Sequence, residues 1–134
     1  MTLLDRFRTQ PPHKHPDPTV RLAYLEELPL EERETVGSMA REDEDPRVRR
    51  AAVGKLMDPP ALAAVAQADA DEGVRVHAVA MLRDIALEAF EGIGEAESLD
   101  ALEALETLAQ AKVIAQIAKA APREIVALRA LSRI

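Results

Sequence analysis

Six residues recur at a spacing of 26: Asp45, Val48, Arg49, Ala52, Val53 and Leu56 return as Asp71, Val74, Arg75, Ala78, Val79 and Leu82. A period of ~20–50 residues marks a chain of small units, each burying its apolar face only by stacking on its neighbour. Composition narrows the kind of unit. Apolar residues make up 48% of the 134-residue chain and aromatics only 2%. The apolar mass is therefore Ala, Leu, Val and Ile, a small-residue, helix-forming set suited to closely packed helices.

The repeats begin at Asp17-Pro18-Thr19-Val20-Arg21, Asp45-Pro46-Arg47-Val48-Arg49 and Asp71-Glu72-Gly73-Val74-Arg75. Asp at a helix N-cap accepts a hydrogen bond from an orphan N–H of the first turn. Pro at the first helical position has no N–H to lose. The apolar stripe then runs from Val20 to Leu25 and Leu28, from Val48 to Val53 and Leu56, and from Val74 to Val79 and Leu82. These offsets share one broad helical face. Turns are expected at Leu28-Pro29, at Met57 to Pro60 and at Arg83-Asp84. Second helices follow, carrying Val36, Met39 and Ala40 in the first repeat and Leu62, Val65 and Ala66 in the second. In the third repeat, Ile85 to Phe90 either form a second helix or continue the first. A fourth unit is expected to have Leu105 and Leu108 in its first helix and Ile114 and Ile117 in its second. A fifth, with Val126, Leu131 and Ile134, has one helix.

The pattern Asp-x-x-Val-Arg-x-x-Ala-Val-x-x-Leu, carried by residues 45–56 and 71–82, resembles a HEAT repeat of the short bacterial kind. The resemblance covers roughly residues 15–134. It implies an all-α fold, a right-handed α-solenoid of antiparallel helix pairs. The organisation expected is a short helix and Pro-rich loop over 1–14, then repeats at about 15–42, 43–68, 69–94, 95–120 and 121–134. The fourth and fifth units depart from the pattern: Asp100-Ala101 replaces Val-Arg in one, and Ala127 replaces Arg in the other. A stack needs polar ends. Residues 1–10 suit an N-terminal cap, whereas the apolar last helix suggests a chain continuing past Ile134.

The resemblance also implies a non-catalytic scaffold for a protein partner. The expected binding ridge is the second helix of each pair, with Glu34, Ser38, Arg41, Ala63, Gln67, Lys112, Gln116 and Lys119 placed outward by helical phase. The alternative is a chromophore lyase-type or other enzyme-accessory subunit, similar to HEAT-like proteins that attach bilins. A plain spacer between other domains is a third reading.

The ladder Asp17/Arg21, Asp45/Arg49 and Asp71/Arg75 pairs opposite charges four residues apart. Its expected role is structural: each Asp caps its helix and each Arg bridges to the neighbouring repeat's Asp. His13 and His15 lie in a Pro-rich loop and fall short of the ~4 ligands zinc takes. No His is followed by a carboxylate, so the His-Glu metal motif of HEAT-like hydroxylases is missing. The net charge of −7 argues against nucleic-acid or anionic-membrane partners. With no Cys there is neither disulfide nor thiolate chemistry. There is no Gly-rich phosphate loop and no Gly-x-Ser-x-Gly. No enzymatic activity, cofactor or metal is expected. No apolar run nears the ~20 residues of a membrane span, and a cytoplasmic location is expected.

Overall fold

The computed structural model describes residues 11–134. The helix expected over residues 1–10 lies outside the described residues. Those described form eight α-helices and one short 3-10 turn, with no strand. They fall into two compact bodies, residues 11–56 and 57–134.

The N-terminal body holds the turn Pro12–Lys14 and helices α1 (Pro18–Glu27), α2 (Arg33–Glu42) and α3 (Pro46–Val53). The expected caps form. Asp17 accepts from the Thr19 N–H and Asp45 from the Arg47 N–H, with Pro18 and Pro46 in the first turn. Helix α3 packs on both α1 and α2, and the turn packs on α1. Leu25, Val36, Ala40, Val48, Ala52 and Val53 are fully buried or nearly so. Lys55, just past α3, closes the C-terminal end of α1. Its ammonium donates to the Leu25 carbonyl at 2.7 Å and to the Leu28 carbonyl. A cation there meets the negative end of the helix dipole and satisfies orphan carbonyls.

The C-terminal body holds α4 (Pro59–Ala68), α5 (Glu72–Ala86), α6 (Glu95–Thr107), α7 (Ala111–Ala120) and α8 (Glu124–Ser132). The open question of the third repeat resolves to one unbroken helix. Arg83 and Asp84, expected at a turn, lie inside α5, which runs 15 residues. The helix then ends in a left-handed residue, Glu88 at φ 55°. The Ala89 N–H reaches back to the Asp84 carbonyl at 2.9 Å, the closing bond of a helix C-terminal turn.

Helix α6 is the partner of α5. The Ser98 hydroxyl, fully buried, donates to the Ala86 carbonyl at 2.7 Å, tying the start of α6 to the end of α5. At the other end, Gln110 lines a surface notch together with Glu72 and Arg75. The two helices are therefore antiparallel. Helix α6 also packs on α4 and α8, while α7 packs on α5, α6 and α8. Hence α4, α6 and α8 lie in one layer and α5 and α7 in the other. The helix expected to open a fourth repeat thus takes the second-helix place of the third. Ile114, Ile117 and Val126 are buried as expected. Leu131 and Ile134 are exposed, and Ala130 is the buried side chain of that turn.

Ser98→Ala removes the hydroxyl and leaves the Ala86 carbonyl buried without that donor. The expected loss is about 1–2 kcal/mol, read as a lowered urea midpoint at unchanged slope.

Candidate functional site

The charged ladder is the most regular chemistry in the molecule, and it is a hydrogen-bond lattice built three times. In each copy a side chain two residues before the capping Asp accepts that Asp's backbone N–H. Asp43 does so for Asp45 at 2.9 Å, Asp69 for Asp71 at 2.9 Å and His15, through Nδ1, for Asp17 at 3.0 Å. Four residues after the capping Asp, an Arg folds back onto the same turn. Arg21 Nη1 donates to the His15 carbonyl at 2.6 Å, Arg49 to the Asp43 carbonyl at 2.9 Å and Arg75 to the Asp69 carbonyl at 2.6 Å. The guanidinium needs helical geometry to return to the turn, and the turn needs the guanidinium to satisfy its carbonyls.

Arg21 Nη1 also donates to the Pro16 carbonyl at 3.2 Å, and the side chain makes an ion pair besides. Its Nε and Nη2 donate to the two oxygens of Asp43 at 2.8 and 3.0 Å, a bidentate pair. The side chains are 10% and 4% exposed. The bridge to the next repeat therefore goes to Asp43, where the sequence pattern pointed to Asp45. The reason lies in what Asp45 already holds. Its carboxylate accepts the Arg47 N–H at 2.8 Å, Arg47 Nε at 3.1 Å and Arg47 Nη2 at 2.6 Å. Asp43, at the C-cap of α2, is the carboxylate left to face α1. The hydrogen bonds that Arg21 donates to Asp43 raise its pKa above its ordinary value.

The Arg47 side chain, then its backbone N–H, hold the Asp45 carboxyl at about 2. A carboxyl depressed on folding stabilises the native state above its unfolded pKa of ~3.9, and loses that contribution as pH falls through the folded value. Asp45 is expected to titrate near 2 in a carboxyl-detected NMR series. Arg47→Ala is expected to move it back toward the ordinary carboxylate range.

The residues expected on a partner ridge lie on α2 of the N-terminal body and on α4 and α7 of the C-terminal body. On α2, Glu34 and Arg41 are exposed and Ser38 half-buried, its hydroxyl donating to Glu42 at 3.2 Å. On α4, Gln67 is exposed and Ala63 half-buried. Lys112, Gln116 and Lys119 form an exposed stripe along α7. Helices α4 and α7 belong to opposite layers of the C-terminal body, so the structure does not join their faces into one ridge. Between α4 and the start of α5 lies an open notch of about 320 Å³, lined by Ala66, Glu72, Arg75, Val76, Val79 and Gln110. Val79, expected in the core, is only partly buried here.

His13 stacks on Tyr24 with ring centroids 6.4 Å apart, and His15 spends Nδ1 on the Asp17 N–H. Among the described residues no three His, Cys, Asp or Glu side chains gather at a metal-sized site. None of the helices described is long and apolar enough to cross a membrane.

Sequence reasoning missed His15, Asp43 and Asp69. The signal was present, since Asp43 and Asp69 keep the same 26-residue spacing, two positions before each cap. The acidic run around Asp43 reads as a solvated loop until the backbone shows which carboxylate turns inward. Compared with known proteins, the chain matches no family model, no curated protein and no solved structure.

Proposed function

We propose that the chain is a short HEAT-like stack of helix hairpins, a right-handed solenoid, serving as a non-catalytic scaffold for a protein partner. The observation that supports this reading is the thrice-built lattice. It commits the repeated charged residues, Asp17, Arg21, Asp45, Arg49, Asp71 and Arg75, to capping and joining helices. What recurs in the sequence is joinery, and the outward faces of α2, α4 and α7 are left to vary with a partner. The α7 stripe carries two cations, Lys112 and Lys119, on a chain of net charge −7. An acidic segment of the partner suits that stripe.

The test is affinity purification from the native cells, read by mass spectrometry. The baits are the native chain, Lys112→Glu/Lys119→Glu, Arg41→Glu and Gln67→Glu. A partner captured by the native chain and lost with one charge-altered face supports the scaffold and locates its contact. A native bait that enriches nothing, or a partner held equally by all four, overturns it.

A further inference from the structure

Arg75 is anchored as Arg21 is anchored, yet only part of its guanidinium is used. Arg21 spends Nη1 on the carbonyls of its capping turn and its Nε–Nη2 edge on both oxygens of Asp43. Arg75 spends Nη1 on the Asp69 carbonyl. Among the described residues, nothing accepts from its Nε or Nη2. The difference arises at the end of the second helix of each pair. Helix α2 ends on the carboxylate of Asp43. Helix α6 ends through Leu108, Ala109 and Gln110, a turn with no acid. Gln110 lines the open notch of about 320 Å³ beside Arg75. We infer that this notch binds one carboxylate from outside the chain, taken by the Nε–Nη2 edge of Arg75 as Arg21 takes Asp43.

The lining suits that ligand in three ways. The Nη1 bond already holds the guanidinium, so little side-chain freedom is left to lose on binding. A planar fork meets two carboxylate oxygens at once. The Gln110 side chain makes no cap bond to α7, which leaves its amide N–H groups to donate to the same ligand. Ala66, Val76 and Val79 supply aliphatic walls. They give a methylene stem something to pack on, which a bare inorganic anion lacks. The ligand class is therefore a carboxylate on a short aliphatic stem, either an acidic side chain of a protein segment or a free aliphatic acid. Glu72, exposed on the same rim, opposes it and keeps the affinity low. The site needs no scaffold partner, so it stands or falls apart from the reading above.

The test is NMR of the arginine Nε–Hε groups of the whole chain, at constant ionic strength. The probes are butyrate and the blocked peptide acetyl-Ala-Ala-Glu-Ala-Ala-amide. The Arg75 Hε signal should move downfield and saturate, with a dissociation constant of about 5–50 mM for butyrate. Arg41 and Arg50, both exposed, should only drift linearly. Gln110→Glu sets an acid of the chain itself on the notch wall, leaves the Arg75 anchor intact, and should weaken butyrate binding at least ~10-fold. Glu72→Gln should tighten it about 3-fold. Saturation by the peptide, lost when its Glu is Gln, assigns the site to an acidic side chain. Saturation by butyrate alone assigns it to a small acid. Linear drift of Arg75 with both probes, or an unchanged butyrate affinity in Gln110→Glu, overturns the inference.

Discussion

Val53→Asp is expected to lower the melting temperature of this protein more than any other single substitution considered. Val53 is fully buried at the end of α3, beside Ala52 and one turn from Val48, both also fully buried. A carboxylate there loses its hydration and gains no partner. It also lies at the C-terminal end of the helix, where the dipole disfavours negative charge. Loss of the apolar contacts adds to this, and a cost above about 4 kcal/mol is expected. Against a total stability of ~5–15 kcal/mol for an ordinary domain, that removes most of the stability at the lower end of the range. The informative control is Val79→Asp, the equivalent position one period later. The sequence pattern treats the two alike. Val79, however, is only partly buried, on the wall of an open notch, where a carboxylate can reach water. A melting temperature only a few degrees below native is expected for Val79→Asp. Equal losses in the two variants would contradict the burial described here.

The second large effect belongs to the pair Arg21–Asp43. Arg21→Met is expected to cost about 3–5 kcal/mol, because it strands a buried carboxylate that keeps only the Asp45 N–H. It also leaves the His15 and Pro16 carbonyls without their donor. Asp43→Asn is expected to cost less. The amide still accepts from Asp45 and from one arm of the guanidinium, and Arg21 keeps its two carbonyls. The pair is only partly additive, so Arg21→Met/Asp43→Leu should lose less than the sum of Arg21→Met and Asp43→Leu measured singly. Urea denaturation of the three variants and the native chain closes that cycle. Strict additivity would mean that the two side chains do not interact in solution.

These effects show where the sequence was a sufficient guide. Asp17, Asp45 and Asp71 were readable as caps because capping is a local rule, decided within one turn of the helix. The buried faces of α3, α4 and α7 were readable because apolar periodicity reports burial directly. Layer assignment was not readable. Ile114, Ile117 and Val126 keep the 26-residue phase, yet α6 has taken the place of a second helix. Periodicity counts residues, and a helix in either layer buries a stripe of the same spacing. The change of order arises where α5 runs on through Arg83 and Asp84, and no local rule in that stretch signals it. Asp43 was missed for a related reason. Its partner lies 22 residues away, and in a tract of four acids only the folded backbone distinguishes the one that turns inward.

The joint between the first two repeats also has a direction. Arg21 reaches forward to the carboxylate of Asp43, but the first repeat carries His15 at the position equivalent to Asp43. An imidazole nitrogen can accept the backbone N–H of the turn, but it offers no paired oxygens to an incoming guanidinium. A duplicate of residues 15–42 spliced in ahead of the original would therefore fail to latch, its Arg21 meeting a ring where it needs an acid. With His15 of the original changed to Asp, the same splice would carry both halves of the latch. One substitution thus decides whether a copy of this segment placed ahead of the original can latch onto it.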